Sequence, residues 1–182
     1  MNYHNIKTDD MLNGDGLRVT LFISGCKCRC NNCHNPQAWN FDSGIPFTEE
    51  TVQEILSELA KPYISGLTLS GGHPLETMNV EGFNGIAQLV QRVKKEYPNK
   101  TIWVYSGWTW EEILKQDIIY ENYEINVWSA LDVLKYCDVL VDGRYVEELR
   151  DVTYPFAGSR NQRIIDIKKS LAENKVVLWQ PK

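Results

Sequence analysis

The sequence lacks the features that would place the protein in a membrane or on nucleic acid. No apolar run approaches the roughly 20 residues that span a bilayer, and residues 1–10 are too polar for a secretion signal. The net charge of −5 gives no basis for binding nucleic acid or an anionic membrane. We therefore expect a cytoplasmic protein, with neither a membrane nor nucleic acid among its partners.

Internal repeats, low-complexity tracts and linkers are also missing. With 182 residues, 43% hydrophobic and 24% charged, this predicts one globular domain over residues 1–182 with a sizeable core. The sequence shows no pairing of a nucleophile with a general acid or base. Ordinary acid–base or nucleophilic catalysis therefore has no visible machinery here.

Apolar, β-branched segments alternate with amphipathic helical patterns along the chain. This alternation predicts βαβ units, an α/β fold and a mostly parallel sheet. The strands are predicted over residues 17–24, 66–70, 101–106, 138–142, 163–166 and 176–179. Helices are predicted after the capping residues Thr48, Thr109 and Ser129, and through the apolar positions 83–93 before Pro98.

Four of the predicted strands end at a glycine. Glycine lets the backbone turn sharply or approach a ligand closely, and ligands of βα folds bind at the carboxyl ends of the strands. These strand ends therefore predict one shared pocket rim, although each glycine would also serve in a simple βα turn. The four pairs are Ser24–Gly25, Ser70–Gly71 (followed by Gly72), Ser106–Gly107 and Asp142–Gly143.

Four of the five cysteines lie within eight positions, which is the most informative feature of the chain. They are too close together to staple distant parts of a secreted fold, so a metal in a reducing compartment fits better. Three of them have the spacing Cys26-x3-Cys30-x2-Cys33. A four-iron cluster takes four ligands, so three thiolates would leave one iron free to bind a small substrate.

The alternative for the same cysteines is a structural zinc site that also uses Cys28. Zinc sites usually pair two separated C-x2-C knuckles, and only one such pair is present. We also expect alternate cysteines in this stretch, if it is extended, to point opposite ways, so that Cys28 would point away from its neighbours. The spacing therefore favours an iron–sulfur cluster.

The C-x3-C-x2-C spacing resembles the signature of the radical S-adenosylmethionine enzymes. The resemblance implies an incomplete (β/α) barrel whose loop 25–35 holds a 4Fe–4S cluster through Cys26, Cys30 and Cys33, with Cys28 outside the ligand set. It also implies that the free iron binds the methionine amine and carboxylate of S-adenosylmethionine. Reduction of the cluster then releases methionine and a 5′-deoxyadenosyl radical.

The same resemblance implies the contacts to S-adenosylmethionine. Asn32, Cys33 and His34 would lie against its adenosine end, largely through backbone groups. The pair Gly71 and Gly72 is similar to the family's glycine–glycine–acid stretch, which meets the amino group of the ligand.

His73 stands at the position where the family has Glu or Asp. A backbone carbonyl contact to the ligand would survive this change, whereas a carboxylate contact would not. The alternative for His73 is a solvated loop residue.

Further segments are similar to one subfamily, the activating proteins of anaerobic ribonucleoside-triphosphate reductases. This resemblance implies that the radical removes a hydrogen atom from one glycine of the reductase, with an external low-potential electron donor such as flavodoxin. It makes Trp108, Arg144 and residues 158–163 candidates for the docking edge, the surface that the reductase would contact. The similar segments are the cysteine loop and residues 12–18, 103–108, 138–144 and 158–163.

Two other functions stay open at this point. One is a different small radical S-adenosylmethionine enzyme, such as an activase for another glycyl radical enzyme. The other is a non-enzymatic metal protein that uses the cysteines for structure or electron transfer.

Overall fold

The computed structural model describes residues 1–76, 85–120 and 128–181. It has seven strands: β1 (Asn2–Asp10), β2 (Arg18–Ile23), β3 (Ile45–Pro46), β4 (Gly66–Gly71), β5 (Thr101–Tyr105), β6 (Val139–Asp142) and β7 (Arg163–Asp166). The α-helices are α1 (Glu49–Leu59), α2 (Ile86–Glu96), α3 (Trp110–Tyr120), α4 (Ala130–Leu134) and α5 (Ile167–Glu173). Short 3-10 turns lie at Pro36–Trp39, Pro74–Glu76 and Glu147–Leu149.

The strands form one mixed sheet in the order β3-β1-β2-β4-β5-β6-β7. Its four central strands, β2, β4, β5 and β6, are parallel, whereas β1, β3 and β7 pair antiparallel at the edges. The predicted α/β class and mostly parallel core are therefore confirmed. In the part of the chain that is described, no helix is long and apolar enough to cross a membrane.

The two faces of the sheet are covered differently. On what we call the outer face, residues such as Leu21, Leu69 and Val104 pack against the helices in the main apolar cluster. Alternate positions point the other way, and on this inner face Trp103 heads a smaller aromatic cluster with Phe156 and Trp179. Among the described residues, the inner face carries the smaller apolar cluster and the outer face the larger one.

The buried Arg18 holds the base of the inner face together. Its guanidinium donates to Thr68 Oγ1 at 2.7 Å, to the Leu67 carbonyl at 2.7 Å and to the Thr101 carbonyl at 2.9 Å. Burial lowers the pKa of Arg18 to about 10, a value that leaves it charged at neutral pH. The side chain therefore links β2, β4 and β5 from below.

The predicted helix starts agree with the structure. Helix α1 follows Thr48 directly. At the start of α3 the Thr109 amide donates to Glu112 at 2.8 Å and the Glu112 amide donates to Thr109 at 3.2 Å, the reciprocal pair of a capping box. Ser129 and Asp132 form a second box. The position predicted to begin the apolar face of α2, Phe83, lies outside the described residues.

The edges of the sheet differ from the prediction. Strand β1 was not expected because its sequence is polar. Exposed and partly buried residues alternate along it, as on a strand near a sheet edge. Strand β7 exists but runs antiparallel. Residues 176–179 were predicted as a strand, and this is wrong: only Leu178 forms a bridge, to Ile165. Helix α5 occupies the chain between β7 and this segment.

Candidate functional site

A cleft opens at the carboxyl ends of the parallel strands. Its lining includes all four clustered cysteines together with the glycines at the carboxyl ends of β4, β5 and β6, namely Gly71, Gly72, Gly107 and Gly143. The predicted shared rim is thus confirmed for three of the four strands. The fourth glycine, Gly25, is not among the described residues that line the cleft. It supports the rim from behind, because its carbonyl accepts a hydrogen bond from the His73 amide at 2.7 Å.

The cysteine loop, residues 25–35, is anchored at its start and turned by backbone geometry. The Gly25 amide donates to the Ala38 carbonyl at 2.7 Å. Arg29 and Asn32 have φ values of 49° and 52°, a left-handed conformation that costs free energy for residues other than glycine and is concentrated at functional sites. These two turns direct the loop around the cleft.

Cys28 lies on the same side as its neighbours, which corrects the expectation that it points away. Cys26, Cys28 and Cys30 are half-buried, whereas Lys27 and Arg29 between them are exposed. All three cysteines line the cleft, although Arg29, with its positive φ, interrupts any extended backbone between Cys28 and Cys30. The Cys28 sulfur packs directly on Gly107, where an added Cβ would lie 2.4 Å from it.

The thiols of the loop differ in pKa, and metal binding requires the deprotonated thiolate form. The pKa of Cys26 is lowered to about 6, chiefly by a hydrogen bond from the Cys28 thiol, and the pKa of Cys28 is raised correspondingly. Burial raises the pKa of Cys30, and a hydrogen bond from the Tyr145 backbone opposes that effect. The Asn35 amide donates to Cys33 Sγ at 3.4 Å.

The four thiols of the cysteine loop surround the cleft without meeting at one point. Among the described residues, no three His, Cys, Asp or Glu side chains converge as they would around one metal ion. A tetrahedral zinc site needs its sulfurs about 2.3 Å from a common centre, whereas each thiolate of a 4Fe–4S cluster binds its own iron. Thiols that surround one cleft without meeting at a point suit the cluster.

Gly71 and Gly72 join the end of β4 to the base of the cysteine loop. Gly71 has a φ of 99°. A Cβ on Gly72 would lie 2.4 Å from the Gly25 carbonyl oxygen, and the Gly72 amide donates to the Ile23 carbonyl at 2.7 Å. Both glycines are therefore required by backbone packing, and both also line the cleft.

His73 is buried, so its interpretation as a solvated loop residue is wrong. Its Nε2 lies 2.9 Å from Ser106 Oγ, its Nδ1 lies 3.3 Å from Glu76 Oε2, and its ring packs on Trp108 at 4.4 Å. These contacts hold the imidazole beneath the cleft, tying the end of β4 to the end of β5.

Glu76 completes this arrangement and was not anticipated from the sequence. Burial raises the pKa of the Glu76 carboxyl, but hydrogen bonds from His73 and from the Lys27 amide, at 2.8 Å, outweigh burial and lower it overall. The carboxylate therefore fastens the cysteine loop to the turn after β4. The only signal in the sequence was its place three residues after His73.

The remaining predicted residues lie around the cleft. Asn32 and His34 are exposed and do not line it, and the His34 ring packs on Tyr145 at 5.2 Å. Arg144 pairs with Glu112 at 3.0 Å. The cleft also includes Asn35 from the cysteine loop, Gln162 from the predicted docking edge, and Tyr145, which no sequence pattern had singled out.

Arg163 serves the scaffold. It donates to the buried Asp142 at 3.0 Å and to Glu111 at 2.7 Å. Asp142 in turn accepts from the Trp110 amide at 2.8 Å. This part of the predicted docking edge therefore holds the end of β6 against the start of α3.

Comparison with known proteins agrees with this site. Residues 12–165 match the family model of a 4Fe–4S single cluster domain. The fold and the cysteine-lined cleft are thus those of an iron–sulfur domain that carries one cluster.

Three relatives show which proteins with such a domain this chain resembles. The chain is similar to the anaerobic ribonucleoside-triphosphate reductase-activating proteins of Haemophilus influenzae (40% identical; 90% of this chain and 97% of the relative), Enterobacteria phage T4 (42%; 90% and 93%) and Escherichia coli K12 (39%; 89% and 96%). With this identity over nearly the whole length, the chain belongs to the family of anaerobic ribonucleoside-triphosphate reductase-activating proteins.

Proposed function

We propose that the protein generates the glycyl radical of an anaerobic ribonucleoside-triphosphate reductase by reductive cleavage of S-adenosylmethionine. One observation carries the proposal: a chain of this family brings a C-x3-C-x2-C triad and a glycine pair into one cleft at the ends of its parallel strands. The reaction belongs to the cofactors, while the protein binds, orients and shields them.

Cys26, Cys30 and Cys33 would hold the 4Fe–4S cluster, leaving one iron open. When bound and reduced, the cluster supplies the electron that splits S-adenosylmethionine into methionine and a 5′-deoxyadenosyl radical. The Asn35 amide and the Tyr145 backbone donate hydrogen bonds to two of these sulfurs. Such bonds stabilise the thiolate form and tune the cluster from outside its ligand set.

The methionyl end of S-adenosylmethionine would lie beside Gly71 and Gly72. None of the described residues lining the cleft is Asp or Glu, and the His73 side chain is buried beneath it with its own partners. The ammonium group would therefore rest on backbone carbonyls. Asn32, Cys33 and His34 would border the adenosine end through backbone groups, since the side chains of Asn32 and His34 are exposed.

The open sheet would be a shortened form of the (β/α) barrel of radical S-adenosylmethionine enzymes. Four parallel strands with helices on the outer face and the cofactor cleft at their carboxyl ends support this interpretation. The activity would take place in the cytoplasm and draw its electron from a low-potential donor such as flavodoxin.

Anaerobic reconstitution tests the proposal in two stages. The protein loaded with iron and sulfide, reduced and given S-adenosylmethionine, should form 5′-deoxyadenosine, and a Cys30→Ala control should not. Adding an anaerobic ribonucleotide reductase should then produce a glycine-centred radical, visible by electron paramagnetic resonance as a doublet from the remaining α-hydrogen. Deoxyadenosine without any glycyl radical on cognate reductases would reject the activase role while leaving the cleavage reaction in place.

A further inference from the structure

A groove on the inner face lies beside the cofactor cleft. Two segments border it: the loop between β1 and β2, which includes Met11 and Leu12, and the stretch 152–158 before β7. Its volume is about 560 Å³. Asn35 and Tyr105 line both the groove and the cleft, so the two spaces adjoin each other.

Both borders are held against the sheet. Thr68 Oγ1 donates to the Asn13 carbonyl at 2.8 Å, which fixes the first loop. On the other side, the Tyr105 hydroxyl donates to the Phe156 carbonyl at 2.8 Å, and the Phe156 ring packs on Trp103 at 5.2 Å. The groove is therefore a formed feature of the fold.

The borders expose large apolar side chains where a soluble surface would favour polar ones. Leu12 is 76% exposed, Met11 68% and Val152 83%, the three most exposed large hydrophobic residues among those described. Apolar side chains gathered beside a cleft mark interaction surfaces. None of the described lining residues is Asp, Glu, Lys or Arg, so burying a charged segment there would carry an uncompensated desolvation cost.

We propose that this groove binds the segment of the reductase that carries the glycine to be oxidised, with uncharged, largely apolar residues beside that glycine. The proposal rests on the proposed function. The occupant must deliver a backbone Cα to the cleft while the rest of its chain stays outside, and a groove that shares Asn35 and Tyr105 with the cleft would hold that chain close to it. The contact would bury Leu12 and Val152 from opposite borders.

Binding measurements on the reconstituted protein test this surface. Leu12→Glu and Val152→Glu should each weaken binding to the reductase at least about tenfold, because a buried unpaired charge in an interface is costly. Leu114→Glu is the matched control: this leucine is 37% exposed on α3, in the helix layer of the opposite face, and its substitution should leave binding unchanged. A peptide containing the reductase's glycine segment should compete with the reductase for the wild-type protein.

Cleavage of S-adenosylmethionine in the absence of reductase, the uncoupled reaction, distinguishes an effect on docking from an effect on the chemistry. All three variants should form 5′-deoxyadenosine at the wild-type rate when no reductase is present. Wild-type affinity in both groove variants would overturn the proposal, as would loss of uncoupled cleavage in both, since that would place Leu12 and Val152 in the cofactor site. If the wild-type protein formed no deoxyadenosine, the proposed function would fail, while binding would still decide whether the groove is the docking surface.

Discussion

Four thiols line one cleft, yet only three are proposed to bind iron, so the choice of ligands is a question about single residues. Cys28 is close enough to hydrogen-bond Cys26 and packs on Gly107. Its exclusion from the ligand set rests on the spacing of the other three. The fifth cysteine, Cys137, is fully buried in the core, and burial raises its thiol pKa.

Five alanine variants separate these roles. Cys26→Ala, Cys30→Ala and Cys33→Ala should each lose the 4Fe–4S cluster, because removing one of three thiolates leaves two irons without protein ligands. Cys28→Ala and Cys137→Ala should keep normal iron and sulfide. The measurement is iron and sulfide per chain after anaerobic reconstitution, with circular dichroism to confirm folding. A folded Cys28→Ala protein without a cluster would show that the assignment of the triad is wrong.

Arg163 shows how a residue beside the site acts on stability. Asp142 is 1% exposed, so Arg163→Met would leave a buried carboxylate without its cation. We expect a loss of about 2 kcal/mol in unfolding free energy, below the range for fully buried pairs because Arg163 reaches solvent. Arg144→Met is the control: its pair with Glu112 is exposed, so its cost should stay below about 1 kcal/mol. Urea unfolding at pH 7 measures both.

The same arginine predicts a pH dependence. Its hydrogen bonds lower the pKa of Glu111 to about 2. A carboxyl whose pKa is depressed in the folded state stabilises the fold above its unfolded pKa, near 4.5, and loses that contribution as pH falls toward 2. The difference between wild type and Arg163→Met should therefore shrink between pH 4.5 and 2. A difference that stayed constant over that window would argue against the Glu111 pair.

At the scale of elements, the junction between β4 and the cysteine loop is the critical contact. The sequence favoured Gly72 as a place where the backbone approaches a ligand, so that a larger residue would weaken ligand binding alone. Because an added Cβ would meet the Gly25 carbonyl at 2.4 Å, a side chain there would instead displace the residue that precedes Cys26. The glycine serves the loop as well as the cleft.

Gly72→Ala should therefore reduce cluster content and not only ligand affinity. The measurement is iron per chain alongside the affinity for S-adenosylmethionine. Gly143→Ala is the control on the same rim: its φ of 94° makes the change strained, but an added Cβ finds its nearest neighbours only at 3.9 Å. That variant should lose stability and keep its iron. Normal iron in Gly72→Ala would mean that the loop adapts to the extra methyl group.

Elements with their own local signals were predictable, and elements defined by their neighbours were not. Helices α1 and α3 followed from capping residues and apolar spacing. Strand β1 is polar and owes its conformation to pairing with β2. The direction of β7 depends on how the chain returns from β6, which no local pattern encodes. Leu178 pairs at one position only, although residues 176–179 have a strand-like composition.

For the whole molecule, topology explains why much of the site was foreseeable. Parallel strands place their carboxyl ends at one edge, so the cysteines after β2 and the glycines after β4, β5 and β6 had to meet. The topology of the strands does not predict which side chains from separate loops contact each other. His73 finds Ser106 and Glu76 through the packing of β4 against β5, and the groove between residues 11–12 and 152–158 depends on two loops folding over one face.

The division between core and site also predicts how the molecule behaves without its cluster. The main apolar cluster lies between the outer face and the helices, and within the cysteine loop no residue after Gly25 is buried. Small zinc domains unfold without metal because the metal replaces a core. A chain with its own core should keep its fold, so metal-free protein should retain its far-ultraviolet circular dichroism and a cooperative thermal transition.

Loading the cluster should then raise the melting temperature by roughly 5–10 °C, the shift that tight binding to the folded state gives a protein of this size. A variant with Cys26, Cys30 and Cys33 all changed to serine is the control. It should melt with the metal-free wild type under every loading condition, since it has the same core and no means of holding iron. If the metal-free wild type lacked a cooperative transition while the loaded protein melted sharply, the cluster would be part of the folding core, and the scaffold would not be independent of the site.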